Sequence, residues 1–532
     1  MLKPADIAKG SGPLCVFDPR KLLPLPAPYD DIALLPGRKA MDTATASHVD
    51  TSLDGFAAVG IRRPPTAADE ARFSEAFVTG LNRLLSADDN WPFLKHLRLS
   101  LDHCARCQTC IDSCPVYEAS GYAEVYRPTF RSEVIRRLAK QYSADGNKPL
   151  AWLKGETIEL NSTTLCRLVE SVYRCTLCRR CAQACPMGID NALLTREIRK
   201  LFGMEMGIAP KELHAQGSML QLRTGSSTGM NPRAVRDNVD FLDDEIKDQT
   251  GLTIHTPWDK EGADVLLIHN AGEILAWPEN PMAFAILLEA AGISWTMSSE
   301  LVGYDSVNYG VWYDDAQFAR IAVRQAEAAR KLKVKKIVLG ECGHGHKAAM
   351  VTADRLLTGE LNIPRESALV LLRDIVKSGR LKLDPSRNDF PVTLHDPCNM
   401  VRMMGIVEPQ REILRAICPQ FREMTPHGVN NYCCGGGSGF AIMSGYNFED
   451  WRFLVSGRMK LKQILNAFAD CPGPGIRKYV CAPCSNCKGQ LRDLFRYYGV
   501  WEKSAILYGG LAELIVNAMT DLDQPFIKWE FH

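Results

Sequence analysis

The chain has 532 residues, with 63 Lys and Arg against 62 Asp and Glu and a formal charge of +1, a balance that gives no electrostatic case for nucleic acid or a membrane surface as partner. Apolar residues make up 46%, which suits a soluble protein of two to four domains with a substantial core. No run approaches the roughly eighteen apolar residues of a membrane span and Met1–Asp6 lacks the apolar stretch of a secretion signal, so a cytoplasmic location is expected.

Nineteen cysteines are many for such a chain, and thirteen fall in three clustered patterns. A disulfide framework would spread them; clustering in a reducing compartment points to metal. Cys15, Cys166, Cys418 and Cys471 lie outside the patterns and read as buried small hydrophobes.

Residues 1–90 open with Lys21-Leu22-Leu23-Pro24-Leu25-Pro26-Ala27-Pro28, where repeated prolines exclude a helix and favour an extended arm able to wrap its own domain or a partner. Phe73, Phe77, Leu81 and Leu84 recur at helical spacing and predict an amphipathic helix over 67–85.

Residues 91–205 carry Cys104-x2-Cys107-x2-Cys110-x3-Cys114-Pro115 and repeat it as Cys175-x2-Cys178-x2-Cys181-x3-Cys185-Pro186. In this two-cluster ferredoxin pattern, short loops let three thiolates converge on one 4Fe-4S cubane while the Cys-Pro turn sends the fourth to the other. One cubane is expected on Cys104, Cys107, Cys110 and Cys185, and the second on Cys175, Cys178, Cys181 and Cys114. Zinc ribbons, the competing reading, leave the third cysteine and the proline of each motif unexplained. About sixty residues separate the motifs, with helices predicted over 131–142 and 165–172. An α-helical ferredoxin domain is therefore expected, similar to iron–sulfur subunits of the succinate dehydrogenase type. Arg127, Arg131, Arg136, Arg179 and Arg180 are candidates to raise cluster potentials or face an acidic partner, against the plainer reading of a solvated basic face.

Residues 206–255 read as a polar connector marked by Gly225-Ser226-Ser227-Thr228-Gly229 and Asn231-Pro232. Beyond it strands alternate with helices. Strands are predicted over 263–269, 336–340, 392–395 and 478–480, and helices over 281–291, 317–331 and 451–467. This texture predicts parallel sheets with ligands at the carboxyl ends of the strands. Residues 256–385 and 386–532 follow one plan: Val307-Asn308-Tyr309-Gly310 stands where the second half has Asn430-Asn431-Tyr432-Cys433, and Cys342 stands near the level of Cys484. Two tandem modules are inferred, the first stripped of all its cysteines but one.

The second module gathers His395-Asp396-Pro397-Cys398, Tyr432-Cys433-Cys434-Gly435-Gly436-Gly437 and Cys481-Ala482-Pro483-Cys484. Adjacent cysteines are strained when bonded to each other, so the pair suggests two sulfurs serving one metal centre. Three glycines let the backbone take positive φ, approach a bulky cofactor and donate N–H groups to its sulfurs. A structural zinc or a simple cubane is the alternative. The pattern resembles the CCG domain of heterodisulfide reductases. That resemblance implies a non-cubane 4Fe-4S cluster on Cys398, Cys433, Cys434, Cys481 and Cys484, with Gly435, Gly436 and Gly437 against it.

The expected fold is thus an α+β multidomain chain: a helical two-cluster ferredoxin domain followed by two tandem α/β CCG-type modules, the first degenerate. Within the wider family this layout looks most like the DsrK-type subunits of sulfite-reduction-associated DsrMKJOP membrane complexes. The likeness implies an iron–sulfur catalytic subunit held at the cytoplasmic membrane through a partner. It would exchange electrons between a quinone-linked, DsrM-like cytochrome b subunit and a small sulfur carrier, DsrC, as a protein disulfide or trisulfide. Because reduction to thiols consumes protons, His344 and His346 are proton-donor candidates, with His395 and His427 behind them, against a structural role for each. Cys342 and Cys487 are candidate resolving thiols, Lys347 and Lys488 candidate attractors of a carrier's carboxylate, and the Pro-rich arm and residues 525–532 candidate docking strips. The alternative is an electron-transfer subunit of a flavin-linked hydroxyacid or glycerol-3-phosphate dehydrogenase. The glycines of Cys434–Gly439 belong to the cluster loop and do not form a G-x-G-x-x-G flavin turn.

Overall fold

The computed structural model describes residues 2–10, 12–16, 18–30, 52–144, 146, 157–445, 447–522 and 524–531. They fall into two units, the first of Met1–Leu213, Trp312–Asp315 and Tyr432–Lys462, the second of His214–Val311, Ala316–Asn431 and Gln463–His532.

The first unit is helical. Its longer elements are α1 (Ala67–Leu84), α2 (Leu94–Asp102), α3 (Pro128–Tyr142), α4 (Ser162–Tyr173) and α5 (Asn191–Met206). Several starts have a local cause: Thr66 and Asn161 cap α1 and α4 by accepting from Asp69 N and Thr164 N, and Asp190 caps α5. The apolar stripe of α1 packs on α5, with the Phe77 and Phe202 rings 5.7 Å apart. α4 is buried continuously from Thr164 to Tyr173, so its charged residues must be bonded internally. Arg167 donates to the carbonyls of Ile7, Lys9 and Gly10 at 2.8–2.9 Å and ties the N-terminal segment down. The proline-rich arm is likewise held: Leu22, Leu23 and Leu25 are buried, and Leu23 N donates to Ala119 O. It wraps its own unit, so these leucines do not form a docking strip.

The second unit begins with α6 (Pro232–Thr250), started by the Asn231 cap and ended by Gly251 in the left-handed conformation. This corrects the reading of 206–255 as a plain connector: Val235, Val239, Leu242 and Ile246 recur at helical spacing and are buried. Two parallel four-stranded sheets follow. The first comprises β1 (Val265–Ile268), β2 (Trp295–Thr296), β3 (Lys336–Leu339) and β4 (Arg365–Ser367), and the second β5 (Val392–Leu394), β6 (Phe421–Arg422), β7 (Lys478–Cys481) and β8 (Ile506–Gly509). Their strand orders are β2-β1-β3-β4 and β6-β5-β7-β8, so the internal duplication is a duplication of topology. Ile268 pairs with Leu339 and Leu394 with Cys481, which places the ends of the central strands side by side in each sheet.

Strands of a parallel sheet are buried on both faces, and helices must cover them. α7 (Glu279–Ala290), α8 (Asp315–Lys331) and α9 (Ala368–Lys377) belong to the first module; α10 (Cys398–Met404), α11 (Pro409–Ile417), α12 (Ser485–Tyr498) and α13 (Leu511–Asn517) belong to the second. α7 packs on α13 and α9 on α11, so the two modules share one core. The C-terminal residues also join it: Phe526 and Ile527 are buried, and the Trp529 ring meets Phe390 edge-on at 4.8 Å. Those side chains are therefore packed and do not form a docking strip.

Candidate metal centres

The first unit brings together the eight ferredoxin cysteines. In both motifs the same two positions take a left-handed backbone without glycine, Arg106 and Gln108 in the first (φ 56° and 66°), Leu177 and Arg179 in the second (51° and 63°). Such conformations cost about 1–2 kcal/mol each, and they recur at equivalent positions of the two loops. The loops exchange their fourth thiol. Burial pushes Cys110 up to about 11, with Cys104, Cys185 and Cys107 as its like-charged neighbours. Burial pushes Cys114 up to about 12, beside Cys178 and Cys175, and raises Cys181 beside Cys178, Cys175 and Cys114. Two sets of four sulfurs grouped in this way are the donor chemistry of a four-iron cluster. Asn191 Nδ2 donates to Cys110 Sγ at 3.6 Å and Ile189 N to Cys185 Sγ at 3.3 Å.

The arginines near these loops act as internal ties. Arg127, Arg131 and Arg136 are buried and donate to Leu2 O, Thr195 Oγ1 and Ser100 O, which removes them from any partner-facing surface. Arg180 donates to Ser113 O at 2.9 Å and stacks 4.3 Å over the Tyr432 ring.

Tyr432 leads into the Cys433-Cys434 loop, which also belongs to the first unit. Gly435 N donates to Cys433 Sγ at 3.4 Å. Gly435 has φ 95°, and a Cβ there would lie 2.5 Å from the backbone of Ser456 and Gly457. The loop presses at that point on what the sequence predicts as one helix over 451–467. The structure has a π turn at Arg452–Ser456 before the α-helix Arg458–Ala467, because the turn must accommodate the loop and bond it through Ser456 Oγ to Gly435 O at 2.8 Å. On its other side the loop meets the second ferredoxin motif. Ser438 Oγ donates to Cys175 O at 3.1 Å, and a Cβ on Gly437 would lie 2.6 Å from Thr176 O.

The second unit holds Cys398, Cys481 and Cys484 at strand ends. Cys481 ends β7, Cys484 caps α12, and Cys398 starts α10; all three are buried. Gly343 N donates to Cys484 Sγ at 3.3 Å, and a Cβ on Gly343 would sit between Cys484 and Pro397. His395 donates its backbone N–H to Cys481 O, and one of its ring nitrogens lies within 4.8 Å of the Cys487 sulfur. Asp396 fixes this corner. Burial would raise its carboxyl, but Arg411 overrules that with two parallel bonds of 2.8 and 2.7 Å, and Gly428 N adds a third. Nothing in the sequence singles out Arg411.

His344 and His346 differ from their expected role. Burial lowers both to about 4, so they are neutral at pH 7. His344 Nε2 donates to Asn308 O at 3.0 Å. His346 Nδ1 donates to Cys342 O at 2.8 Å, and Nε2 then accepts from Ser367 Oγ at 2.7 Å. With both ring nitrogens engaged, His346 orients the strand end, its one ring proton held in the bond to Cys342 O. Cys342 occupies the position of Cys484 in its module: each amide bonds two residues back, to Gly340 O or Ala482 O, and each carbonyl accepts four residues on. Burial pushes the Cys342 thiol up to about 12, which removes it as a thiolate nucleophile. Of the cysteines read as small hydrophobes, Cys166 and Cys418 are buried, whereas Cys15 and Cys471 are half-exposed.

Lys488 is fully buried and has no route to an incoming carboxylate. Its Nζ lies 3.3 Å from Glu273 Oε1 and 3.8 Å from Glu513 Oε1. Glu513 accepts from Tyr479 OH and Gly510 N, and Glu341 from Leu511 N and Ala512 N. Burial raises Glu273 to about 7 and Glu341 to about 8. It would lower Lys488, but the three carboxylates hold that ammonium charged. His269, buried beside them, is lowered to about 3. Glu273 and Glu341 come from the first module, Lys488 and Glu513 from the second, so this network clamps the two modules at their strand ends.

Comparison with known proteins matches these features to two domains and several relatives. The 4Fe-4S dicluster domain matches residues 100–189 and the cysteine-rich CCG domain residues 392–492. Over 475 residues the chain is 27% identical to the Hdr-like menaquinol oxidoreductase iron-sulfur subunit 2 of Archaeoglobus fulgidus, covering 80% of each. Over 402 residues it is 28% identical to the HdrD component of the dihydromethanophenazine:CoB–CoM heterodisulfide reductase of Methanosarcina acetivorans, covering 74% of this chain and 89% of the other. No solved structure matches. The first domain match spans all eight ferredoxin cysteines and the second all five of the CCG pattern; the two domains indicate 4Fe-4S clusters, and the chain is similar to heterodisulfide reductase proteins of the HdrD/DsrK-like type.

Proposed function

We propose that the chain is the iron–sulfur catalytic subunit of a membrane-associated complex, passing electrons between a quinone-linked cytochrome b subunit and a disulfide or trisulfide on a small, DsrC-like sulfur carrier. Two cubanes would be held by Cys104, Cys107, Cys110 and Cys185 and by Cys175, Cys178, Cys181 and Cys114, and a non-cubane cluster by Cys398, Cys433, Cys434, Cys481 and Cys484. Held there, the non-cubane cluster would supply one-electron chemistry at sulfur; a disulfide takes up two electrons and two protons to give two thiols, and a trisulfide takes up the same to give a thiol and a persulfide.

The observation that carries this reading is the bonding of the Cys433-Cys434 loop to the second ferredoxin motif through Ser438 and Cys175 O, with Arg180 over Tyr432. A loop so fixed keeps its sulfurs at a constant distance from one cubane set. Relatives named as part of a menaquinol oxidoreductase and of a heterodisulfide reductase support the quinol and disulfide ends. Among the described residues no helix is long and apolar enough to cross a membrane, and attachment is assigned to a partner.

The test is low-temperature EPR of anaerobically purified, mildly oxidised protein, before and after adding a small thiol or a disulfide-bearing carrier. A new paramagnetic species that is absent from Cys434→Ser supports the reading, together with about twelve irons per chain, the sum for three four-iron clusters. Full iron content without such a species makes the chain a relay and moves catalysis to a flavoprotein partner.

A further inference from the structure

The two modules of the second unit exchange hydrogen bonds at their strand ends. Cys342 and Cys484 hold equivalent places, and the residue after each reaches the sulfur of the other. Gly343 N donates to Cys484 Sγ at 3.3 Å, across 141 positions of sequence. In return the Ser485 hydroxyl bonds to Cys342 Sγ. Its oxygen accepts from Asn270 Nδ2 at 2.8 Å, which leaves its hydrogen to donate to that sulfur. The main chain adds a further tie, Ser485 N to Glu341 O at 2.7 Å. Cys342 Sγ also takes Gly345 N at 3.3 Å and Asn270 Nδ2 at 3.6 Å, and Cys342 O accepts from His346 Nδ1 at 2.8 Å. The end of the first module is therefore held from several sides, and Gly343 is carried on it.

Gly343 is buried, and its amide serves the sulfur and no carbonyl among the described residues. A neutral thiol is a poor acceptor for a buried N–H, whereas an anionic, metal-bound sulfur makes a charge-assisted bond with it. The close approach depends on glycine: a Cβ at 343 would lie 3.2 Å from Cys484 Sγ and 3.5 Å from Pro397 Cβ. We infer that the first module, stripped of its own ligand cysteines, forms a wall of the second module's centre. Gly343 N–H stabilises negative charge on Cys484 and so raises the reduction potential of a cluster held there, and Cys342 is retained to keep that amide in place. The sign follows from charge: an added electron makes the ligand sulfurs more negative, and a donor aimed at one of them favours the reduced state. The inference deepens the proposed function and rests on its reading that Cys484 is a cluster ligand, but it does not depend on which sulfur compound is reduced.

The experiment is a potentiometric titration, followed by EPR, of the anaerobically purified full-length holoprotein. The signal to follow is the one lost in Cys484→Ser. Gly343→Pro removes the N–H; its backbone suits the site because Cys342 is extended (φ −130°, ψ 99°) and Gly343 opens a helical turn. Gly343→Ala adds a Cβ at the same place and keeps the N–H. Gly343→Pro should move the midpoint of that signal to lower potential, and further than Gly343→Ala does. Ser485→Ala and Cys342→Ala leave the amide but loosen its support, and should lower the midpoint by less than Gly343→Pro. The ferredoxin clusters of the first unit should keep their midpoints throughout, with about twelve irons per chain. Equal shifts in Gly343→Ala and Gly343→Pro would assign the effect to bulk and overturn the inference. So would a shift shared by the ferredoxin clusters, or unmoved midpoints in Gly343→Pro and Cys342→Ala with full iron. Should Gly343→Pro lose its iron, Ser485→Ala and Cys342→Ala decide the matter by the same criterion. About eight irons in wild type, the sum for two four-iron clusters, would instead strike the reading of Cys484 as a ligand and the inference with it, so the two failures are distinguishable.

Discussion

Lys488→Met removes the ammonium from the buried network and leaves Glu273, Glu341 and Glu513 to one another. At an effective dielectric constant of about 20 the 3.3 Å pair with Glu273 has a gross attraction of roughly 5 kcal/mol. The variant need not lose all of it, because the network can take up a proton in place of the ammonium. Holding one more proton on a carboxyl whose ordinary value is 4.5 costs about 1.4 kcal/mol per pH unit above that value, hence roughly 3 kcal/mol at pH 7 and 5 at pH 8. At pH 5 the same proton costs under about 1 kcal/mol. The sign in the wild type runs the same way. Glu273 and Glu341 have folded values raised to about 7 and 8, so the stability they contribute is present below the ordinary value of 4.5 and is lost as pH rises through 7 and 8. The assay is urea denaturation followed by circular dichroism at pH 5.5, 7 and 8. The midpoint deficit of Lys488→Met should grow with pH, and Lys488→Met/Glu273→Gln should recover part of it. A deficit under about 1 kcal/mol at pH 8, or one equal at all three pH values, would refute the clamp.

Gly435→Ala puts a Cβ onto the Ser456 and Gly457 backbone at a φ of 95°, and should cost about 2–4 kcal/mol of strain and overpacking and release the Cys433-Cys434 loop. A thermal midpoint and iron content equal to wild type would contradict that account. His346→Gln should lower stability by about 1–2 kcal/mol through the lost bonds to Cys342 O and Ser367. Because the ring is neutral well below pH 6, the pH profile of disulfide reduction between pH 6 and 9 should stay in place; a displaced apparent pKa would restore His346 as a proton donor. Arg411→Lys cannot reproduce the paired bonds to Asp396 and Glu423, and should cost about 2–3 kcal/mol in chemical denaturation. Asp396 is held below its ordinary value of 3.8, so its contribution is present above 3.8 and wild type loses it only as pH falls through the lowered folded value; Arg411→Lys should lack it already at pH 7.

The patterned cysteines are legible without coordinates because cluster ligation is local: x2 spacings are set by the reach of a short loop, and they recur intact at Cys104–Cys110 and Cys175–Cys181. The strands that run into Cys398, Cys481 and Cys342 are legible too, since strands buried on both faces read as short apolar runs. The edge strands β2 and β6, two residues each, leave no period to detect, and only strand order shows that the modules repeat one topology. α6 escapes a sequence reading because its polar face masks its buried stripe. What decides the roles of Lys488, His346 and Arg411 is burial against partners far away in the chain: Glu273 is 215 positions before Lys488, Ser367 is 21 after His346, and Asp396 is 15 before Arg411. A residue type states what chemistry a side chain can do; whether it meets water, a carboxylate or a carbonyl is a property of long-range packing. Sequence therefore determined the cysteine patterns that mark 4Fe-4S domains, while the tertiary structure decided which charged groups serve as bolts between the modules.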